Sequence, residues 1–419
     1  MLRKKTAELL TKYICFVVVL IPFMASFSSS AVVGSSITVI IAFIIKRCLL
    51  KDFKFIRTPA QVPFLLLFSL SLLSFFKTVD LRASTEGLWK LFYYGSLFTI
   101  LTEELKGARH ARWIINASLF GMALVSIDGI WQLHWGWDFM RRHVYNVQET
   151  LGNFPRLRAS FPHTNIFAAY LAVFLPLAMS MLLYYWKKKF IRIIYLSVLI
   201  LAVFCLFWTF SQGAILGVLV AFIFIAVLRK SRFIFIFLAI FAVLVPFIMP
   251  QGVKQLISGA DTVWQILLNP NRIGDFRNAL NMISHNPFLG VGVNTYCLNI
   301  EKYFINDGSI FVGKAGYAHN IYLHMAAEIG IFGVLAFCWL IFRLFKFGLK
   351  KYKTQRNLFI KMYILGVLGG ILSFLINGLT ETVLYYPKVA VLFWFEIGVL
   401  FGLSKFNNTP DDNNADSKA

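Results

Sequence analysis

Apolar runs, each about as long as one bilayer crossing, decide what this 419-residue chain can fold into. A hydrocarbon core of ~30 Å takes roughly 20 residues of helix. Inside it every backbone N–H and C=O must find a partner within the segment, so each run is expected to be an α-helix. That window gives twelve candidates, at residues 12–28, 31–46, 61–76, 87–102, 112–133, 164–186, 190–209, 212–228, 233–250, 319–342, 359–378 and 384–404. The third, fourth and eighth are short. Hydrophobic residues make up 58% of the chain and charged residues 14%, with a mean hydropathy of +0.71, a balance that no soluble domain keeps in solution. The expected fold class is an all-α integral membrane protein with about 12 transmembrane helices over residues 1–406, followed by a short disordered tail at 407–419.

The formal charge of +22 does not read as a nucleic-acid footprint. Phosphate-binding cations cluster on one soluble surface, whereas here they are dealt out between the apolar runs. Basic residues crowd the N-terminus (Arg3, Lys4, Lys5) and every even-numbered connector, among them Lys46, Arg47, Lys51, Lys54 and Arg57, and Arg343, Lys346, Lys350, Lys351, Lys353 and Arg356. The first and seventh connectors carry none. Since cytoplasmic loops are enriched in Lys and Arg, both termini are expected in the cytoplasm. The first run, behind Arg3-Lys4-Lys5, reads as an uncleaved span rather than a signal peptide, because no small-residue cleavage pattern leads into a soluble domain. The five cysteines show no CxxC and no zinc spacing, so neither a metal nor another cofactor is expected.

That orientation leaves two larger segments outside, about 135–163 and the long polar interruption 251–318 between the ninth and tenth runs. In the latter, Val253, Leu256, Ile257, Ala260, Val263, Trp264, Leu267 and Leu268 recur at helical spacing, which predicts an amphipathic surface helix. A second helix is expected after Asn269-Pro270-Asn271, with Ile273, Phe276, Leu280 and Ile283 on its apolar face and Arg272 in its first turn. The segment also holds Arg277, His285 and a Pro287–Gly292 turn whose glycines permit close backbone approach. His319 opens the tenth run, and Asn320, His324 and Glu328 follow at i+4 steps on one helix face. Glu328 then lies ~13 Å deeper than His319, where an ionisable group either serves function or faces a polar interior. Asp128 and Glu396, inside other spans, are expected to hydrogen-bond between helices, and Glu381, on the outer turn between the last two spans, is expected to be more accessible.

Four segments carry a resemblance when read in order. They are Arg158-Ala159-Ser160-Phe161-Pro162-His163-Thr164-Asn165; Thr209-Phe210-Ser211-Gln212-Gly213-Ala214; Arg272 through Asn286-Pro287-Phe288-Leu289-Gly290-Val291-Gly292; and Ala318-His319-Asn320 through Glu328-Ile329-Gly330-Ile331-Phe332-Gly333. Together, over 158–337, they resemble the bacterial O-antigen ligase and O-antigen polymerase superfamily of polytopic, GT-C-like glycosyltransferases, whose large helical periplasmic loop falls between helices 9 and 10. The resemblance implies a metal-independent, cofactor-free transfer on the periplasmic face of the inner membrane. The donor would be an undecaprenyl diphosphate-linked glycan, and the acceptor lipid A-core in a ligase or another lipid-linked glycan in a polymerase.

By the same resemblance Arg272 matches a loop arginine that holds diphosphate, and His319 a histidine that acts as general base or positions the acceptor. Asn320 and Ser211 fall beside these in the substrate site. One position departs. The family has arginine after the Ser or Thr at the start of the eighth span, and this chain has Gln212, which donates hydrogen bonds without charge. Arg158, Arg156 or Arg277 is then expected to supply the second cation, unless the activity differs. A twelve-span transporter or a flippase is the alternative from another class. Transporters tend to show repeated halves and broken helices at mid-membrane sites, and the sequence displays neither.

Overall fold

A computed structural model describes residues 2–142, 144, 150–151, 154–248, 270–305 and 316–406. The expected amphipathic helix at 253–268 and the tail at 407–419 lie outside the described residues. The helices are α1 (Leu2–Ala25), α2 (Ser29–Leu50), α3 (Gln61–Leu73, continued by a 3-10 turn Ser74–Lys77), α4 (Leu81–Glu104), α5 (Ala108–Trp135), α6 (Thr164–Tyr184), α7 (Lys189–Trp208), α8 (Gln212–Arg229), α9 (Arg232–Ile248), α10 (Pro270–His285), α11 (Tyr296–Asn299), α12 (Ile321–Thr354), α13 (Leu358–Asn377) and α14 (Pro387–Leu403). A two-residue antiparallel pair, Thr150–Leu151 with Phe154–Pro155, is the one departure from helix that forms a ladder among the described residues.

Each of the twelve apolar runs falls on a helix. Eight of these (α1, α2, α5, α6, α7, α8, α12 and α13) are long and apolar enough to cross a membrane, and the chain is a multi-pass membrane protein. The other four fall short of that measure. α3, α9 and α14 are brief, and α4 carries Arg82, Glu86 and Lys90 in its first half.

The centre of the bundle is α6 and α13, the most completely buried of the spanning helices. α13 packs on α6 and α8, α14 on α4, α1 on α2 and α5, and α12 on α3. Helix pairs in lipid gain little from hydrophobicity and depend on close fit. Gly370 supplies that fit, since a Cβ there would lie 2.4 Å from the carbonyl oxygen of Val173 in α6. Phe374 of α13 stacks on Phe393 of α14 at 4.8 Å. At the end of the bundle where α4 finishes, Lys46 pairs with Glu104 at 2.6 Å and Arg47 with Glu103 at 3.0 Å, which ties α2 to α4.

The opposite end holds the polar segments, and its architecture rests on a break in α12. Gly330 has φ 78° and ψ 174°, which interrupts the helical ladder. In hydrocarbon each backbone group so released costs several kcal/mol unless it is satisfied. The turn Pro287–Gly292 satisfies them. Val291 N–H donates to Ala327 O at 2.9 Å, Gly292 N–H to Glu328 O at 3.0 Å, and Ile331 N–H to Pro287 O at 2.8 Å. The two residues that follow the turn bond the α3–α4 corner, Val293 N–H to Ser74 Oγ (3.0 Å) and Asn294 Nδ2 to Ala83 O (2.9 Å). The expectation that no helix is broken therefore needs correction: α12 is broken at Gly330, and the chain's own turn fills the break.

Two further expectations need correction. α10 does not bury Ile273 and Leu280, which are exposed. It lies on α12 with Ala279 and Met282 buried in one apolar cluster with Tyr296 and Ala327, a small residue at the contact letting the backbones approach closely. Asp128 bonds to the backbone N–H of Phe139 in the following connector, at 2.8 Å, and among the described residues the buried oxygens of Glu396 have no hydrogen-bond partner.

Candidate functional site

Three chain segments meet at this polar end because of local backbone geometry. Asn320 caps α12, its Oδ1 accepting from Tyr322 N–H (2.9 Å) and Leu323 N–H (3.0 Å), while its Nδ2 donates to Leu379 O (3.1 Å). Ile321 N–H donates to Gly378 O at 2.8 Å, which docks the start of α12 on the α13–α14 connector. His319, just before the cap, is held in the left-handed region at φ 44°. Non-glycine residues there cost of order 1–3 kcal/mol and persist where their surroundings over-determine them. Here the cap on one side and the docking bond on the other do so.

The result is convergence on Glu381. This residue, expected on an accessible turn, is 1% exposed. The connector from Gly378 to Tyr386 folds its side chain inward, under α10 and against α6, instead of outward. Arg272 Nη2 reaches Glu381 Oε1 at 3.0 Å, and His319 Nδ1 reaches Oε2 at 3.3 Å. Asn165, in the first turn of α6, donates from Nδ2 to Oε1 at 2.5 Å. Asn165 in turn accepts at Oδ1 from Arg156 Nη2 (2.9 Å), and Arg156 Nε donates to Thr209 O (2.8 Å), the residue that closes α7. On the far side of the imidazole, Asp275 Oδ2 lies 3.9 Å from His319 Nε2. An ionised carboxyl group is buried at tolerable cost only when paired and hydrogen-bonded, and Glu381 draws on the Arg272 guanidinium, the His319 imidazole and the Asn165 amide.

The electrostatics of His319 follow from this. The residue stands before α12, outside the spanning helix. Burial favours its neutral form, but the hydrogen bond and charge of Glu381, with the charge of Asp275, outweigh burial, so its pKa is held above the ordinary 6.5. Asp275 is pushed up by its own burial, and His319 and Arg272 draw it part of the way back. With Glu381 ionised, Nδ1 carries the proton that bonds it, and Nε2 is left to accept one. Replacing Glu381 with Gln keeps the shape and removes the charge. If His319 works as a base, the acidic limb of the pH–rate profile in Glu381→Gln shifts to lower pH than in wild type. An unmoved midpoint would sink that electrostatic account.

Of the residues singled out from the sequence, Arg272 and His319 are brought together. Ser211 and Gln212 stand at the start of α8, two and three residues beyond Thr209, and so border the Arg156 end of the network. Asn320 lies beside His319, but its side chain is spent on capping. Arg158 points elsewhere, its Nη2 bonding Val144 O at 2.8 Å, and Arg277 is exposed on α10. His285 is exposed too, and packs on Tyr303. His324 and Glu328 form a separate closed knot. Their side chains meet at 3.3 Å, Glu328 also accepts from Tyr296 N–H (3.1 Å) and Tyr385 OH (2.8 Å), and the imidazole lies between Tyr296 and Tyr385. That knot ties α11 and the α13–α14 connector to α12, which is a structural employment of both residues. Sequence reasoning missed Asp275, Asn165 and the role of Glu381. Asn165 stood inside a quoted motif, and Asp275 at i+3 from Arg272 shares its helix face. Among the described residues no group of three or more His, Cys, Asp or Glu is arranged to hold a metal ion.

Fold and site together define a multi-pass helical membrane protein with an arginine and a carboxylate-braced histidine at one end of its bundle. Residues 197–338 match the family model described as O-antigen ligase, which supports the O-antigen ligase and polymerase superfamily for this chain. That family suggests a glycosyltransferase-like enzyme and implies lipid-linked glycan substrates in a membrane setting. No curated protein matches the chain significantly. The matched span runs from α7 into α12. It includes Arg272, His319 and Gly330 and excludes Arg156, Asn165 and Glu381, so half of the hydrogen-bonded site is contributed from outside it.

Proposed function

We propose that the protein transfers a polysaccharide from undecaprenyl diphosphate to lipid A-core on the periplasmic face of a bacterial inner membrane. The observation that carries this is the convergence of Arg272 and His319 on Glu381. In such a transfer an acceptor sugar hydroxyl attacks the anomeric carbon, its proton passes to His319 Nε2, and the bond from that carbon to the diphosphate oxygen breaks. The electron pair leaves with undecaprenyl diphosphate. Arg272 answers the charge that develops there, and a guanidinium suits a phosphate because its fork makes two parallel charge-assisted bonds. The Lys and Arg distribution supports a periplasmic site, since the basic connectors fall at the other end of the bundle.

A polymerase of the same superfamily would use the same donor and the same groups, so the test must read the product. Deleting the gene in the native host and resolving the surface glycans on gels distinguishes them. Long chains made but not attached to lipid A-core are expected for a ligase, whereas single capped repeat units would make the protein a polymerase. Unchanged glycan with lost uptake of a solute would overturn both readings. Complementation with Arg272→Ala is expected to leave the deletion phenotype in place, with transfer down about 10²–10³-fold while the protein persists in the membrane. Full complementation by this variant would remove Arg272 from the site.

A further inference from the structure

Resting on that functional reading, we infer that Arg156, from the α5–α6 connector, is the second cation for the donor diphosphate and does the work that position 212 leaves undone. The turn from Thr209 to Ser211 joins α7 to α8, and Gln212 opens α8 without a charge. Arg156 is fastened to that same turn by its Nε bond to Thr209 O, and through Asn165 it joins the carboxylate that holds Arg272. The two arginines therefore flank one buried carboxylate, Arg272 directly and Arg156 through a single amide.

The first turn of α8 has features of its own that suit an anion. Ser211, at the cap position, makes no side-chain capping bond, so the amide end of an 18-residue helix is not closed by it. Among the described residues the fully buried Asn377 has neither its Oδ1 nor its Nδ2 hydrogen-bonded, and its Oδ1 faces this turn: a Cβ on Gly213 would lie 2.9 Å from it. A buried amide without partners is costly; turned about its last torsion, this side chain presents its N–H₂ in place of Oδ1 to a phosphate oxygen at the α8 N-terminus. One phosphate then rests on Arg272 and the other on Arg156, the α8 amides and Asn377. Arg158 is bonded to Val144 O and Pro162 O, and Arg277 stands exposed on α10.

Arg156 also has a plain structural employment, bracing the ends of α6 and α7, and the experiment must separate the two. The full-length protein, purified in lipid nanodiscs, is titrated with undecaprenyl diphosphate, so that the readout is binding and not transfer. Arg156→Gln is expected to weaken binding about 10- to 100-fold. Gln212→Arg is expected to tighten it in the wild-type background, and the double variant Arg156→Gln with Gln212→Arg to regain most of the loss. Rescue by a cation at 212 is something a brace between α6 and α7 cannot produce. Equal binding by wild type and Arg156→Gln, or a double variant as weak as Arg156→Gln with Gln212→Arg alone no tighter than wild type, overturns the inference while leaving the transferase reading intact. Absence of undecaprenyl diphosphate binding by wild type overturns the functional reading and this inference with it.

Discussion

His319→Ala lowers glycan transfer about 10²–10⁴-fold, the range that a positioned general base contributes. The variant remains folded and inserted, because the side chain makes its contacts at the surface of the site while α12 is capped by Asn320 and docked through Ile321. The pH dependence adds a sign. His319 must be neutral to take a proton, and Glu381 and Asp275 hold its pKa above 6.5. Wild-type transfer therefore climbs as pH rises through a midpoint above that value, and the alanine variant loses the limb along with the rate. The check is initial transfer rate against pH in membranes containing equal amounts of each protein. A variant within a few-fold of wild type, or one that keeps the same limb, would show that the proton goes elsewhere.

Gly330→Ala produces the largest expected loss of stability. A side chain at φ 78° costs about 1–3 kcal/mol in backbone strain alone, and the added Cβ would sit 2.0 Å from the carbonyl oxygen of Phe288. Backbone cannot yield there as a flexible side chain can. The Pro287–Gly292 turn must retreat, and its three bonds to the broken ladder of α12 lengthen together. Because the residues that follow the turn also grip the α3–α4 corner, α10 and Arg272 shift with it, and transfer falls alongside stability. Thermal unfolding of the detergent-purified protein reads the effect as a lowered Tm and a smaller monodisperse fraction. A Tm equal to wild type would mean that the break in α12 is not held by this contact.

Much of the fold is legible in sequence because bilayer crossing is a one-dimensional constraint. A run must be apolar, about 20 residues long and internally hydrogen-bonded, and each run so chosen coincides with a helix. The site is legible only in part. Arg272 and His319 were singled out through motif and placement, Arg272 within the long polar segment and His319 at its end. Glu381 was passed over because a charged residue on a four-to-ten-residue connector ordinarily faces water, and nothing in its neighbours along the chain reveals the fold inward. Arg156 was named only beside Arg158 and Arg277, the two arginines assigned to the substrate site. The distinction among them lies in where Thr209 and Asn165 sit in space, some fifty and ten residues away along the chain.

The sequence by itself determined that the chain is a helical membrane protein, where its apolar helices fall, and that Arg272 and His319 belong to the long polar interruption and its end. All of these depend on composition and spacing within single segments. Only the tertiary structure decided that α12 is broken at Gly330 and mended by a turn forty residues earlier, and that Glu381 is the buried centre on which Arg272, His319 and Asn165 converge. The physical reason is that a backbone group released in one helix, or a carboxylate buried in one connector, is satisfied by whatever the packing of other segments brings within about 3 Å, and that distance is set by the bundle and not by order along the chain.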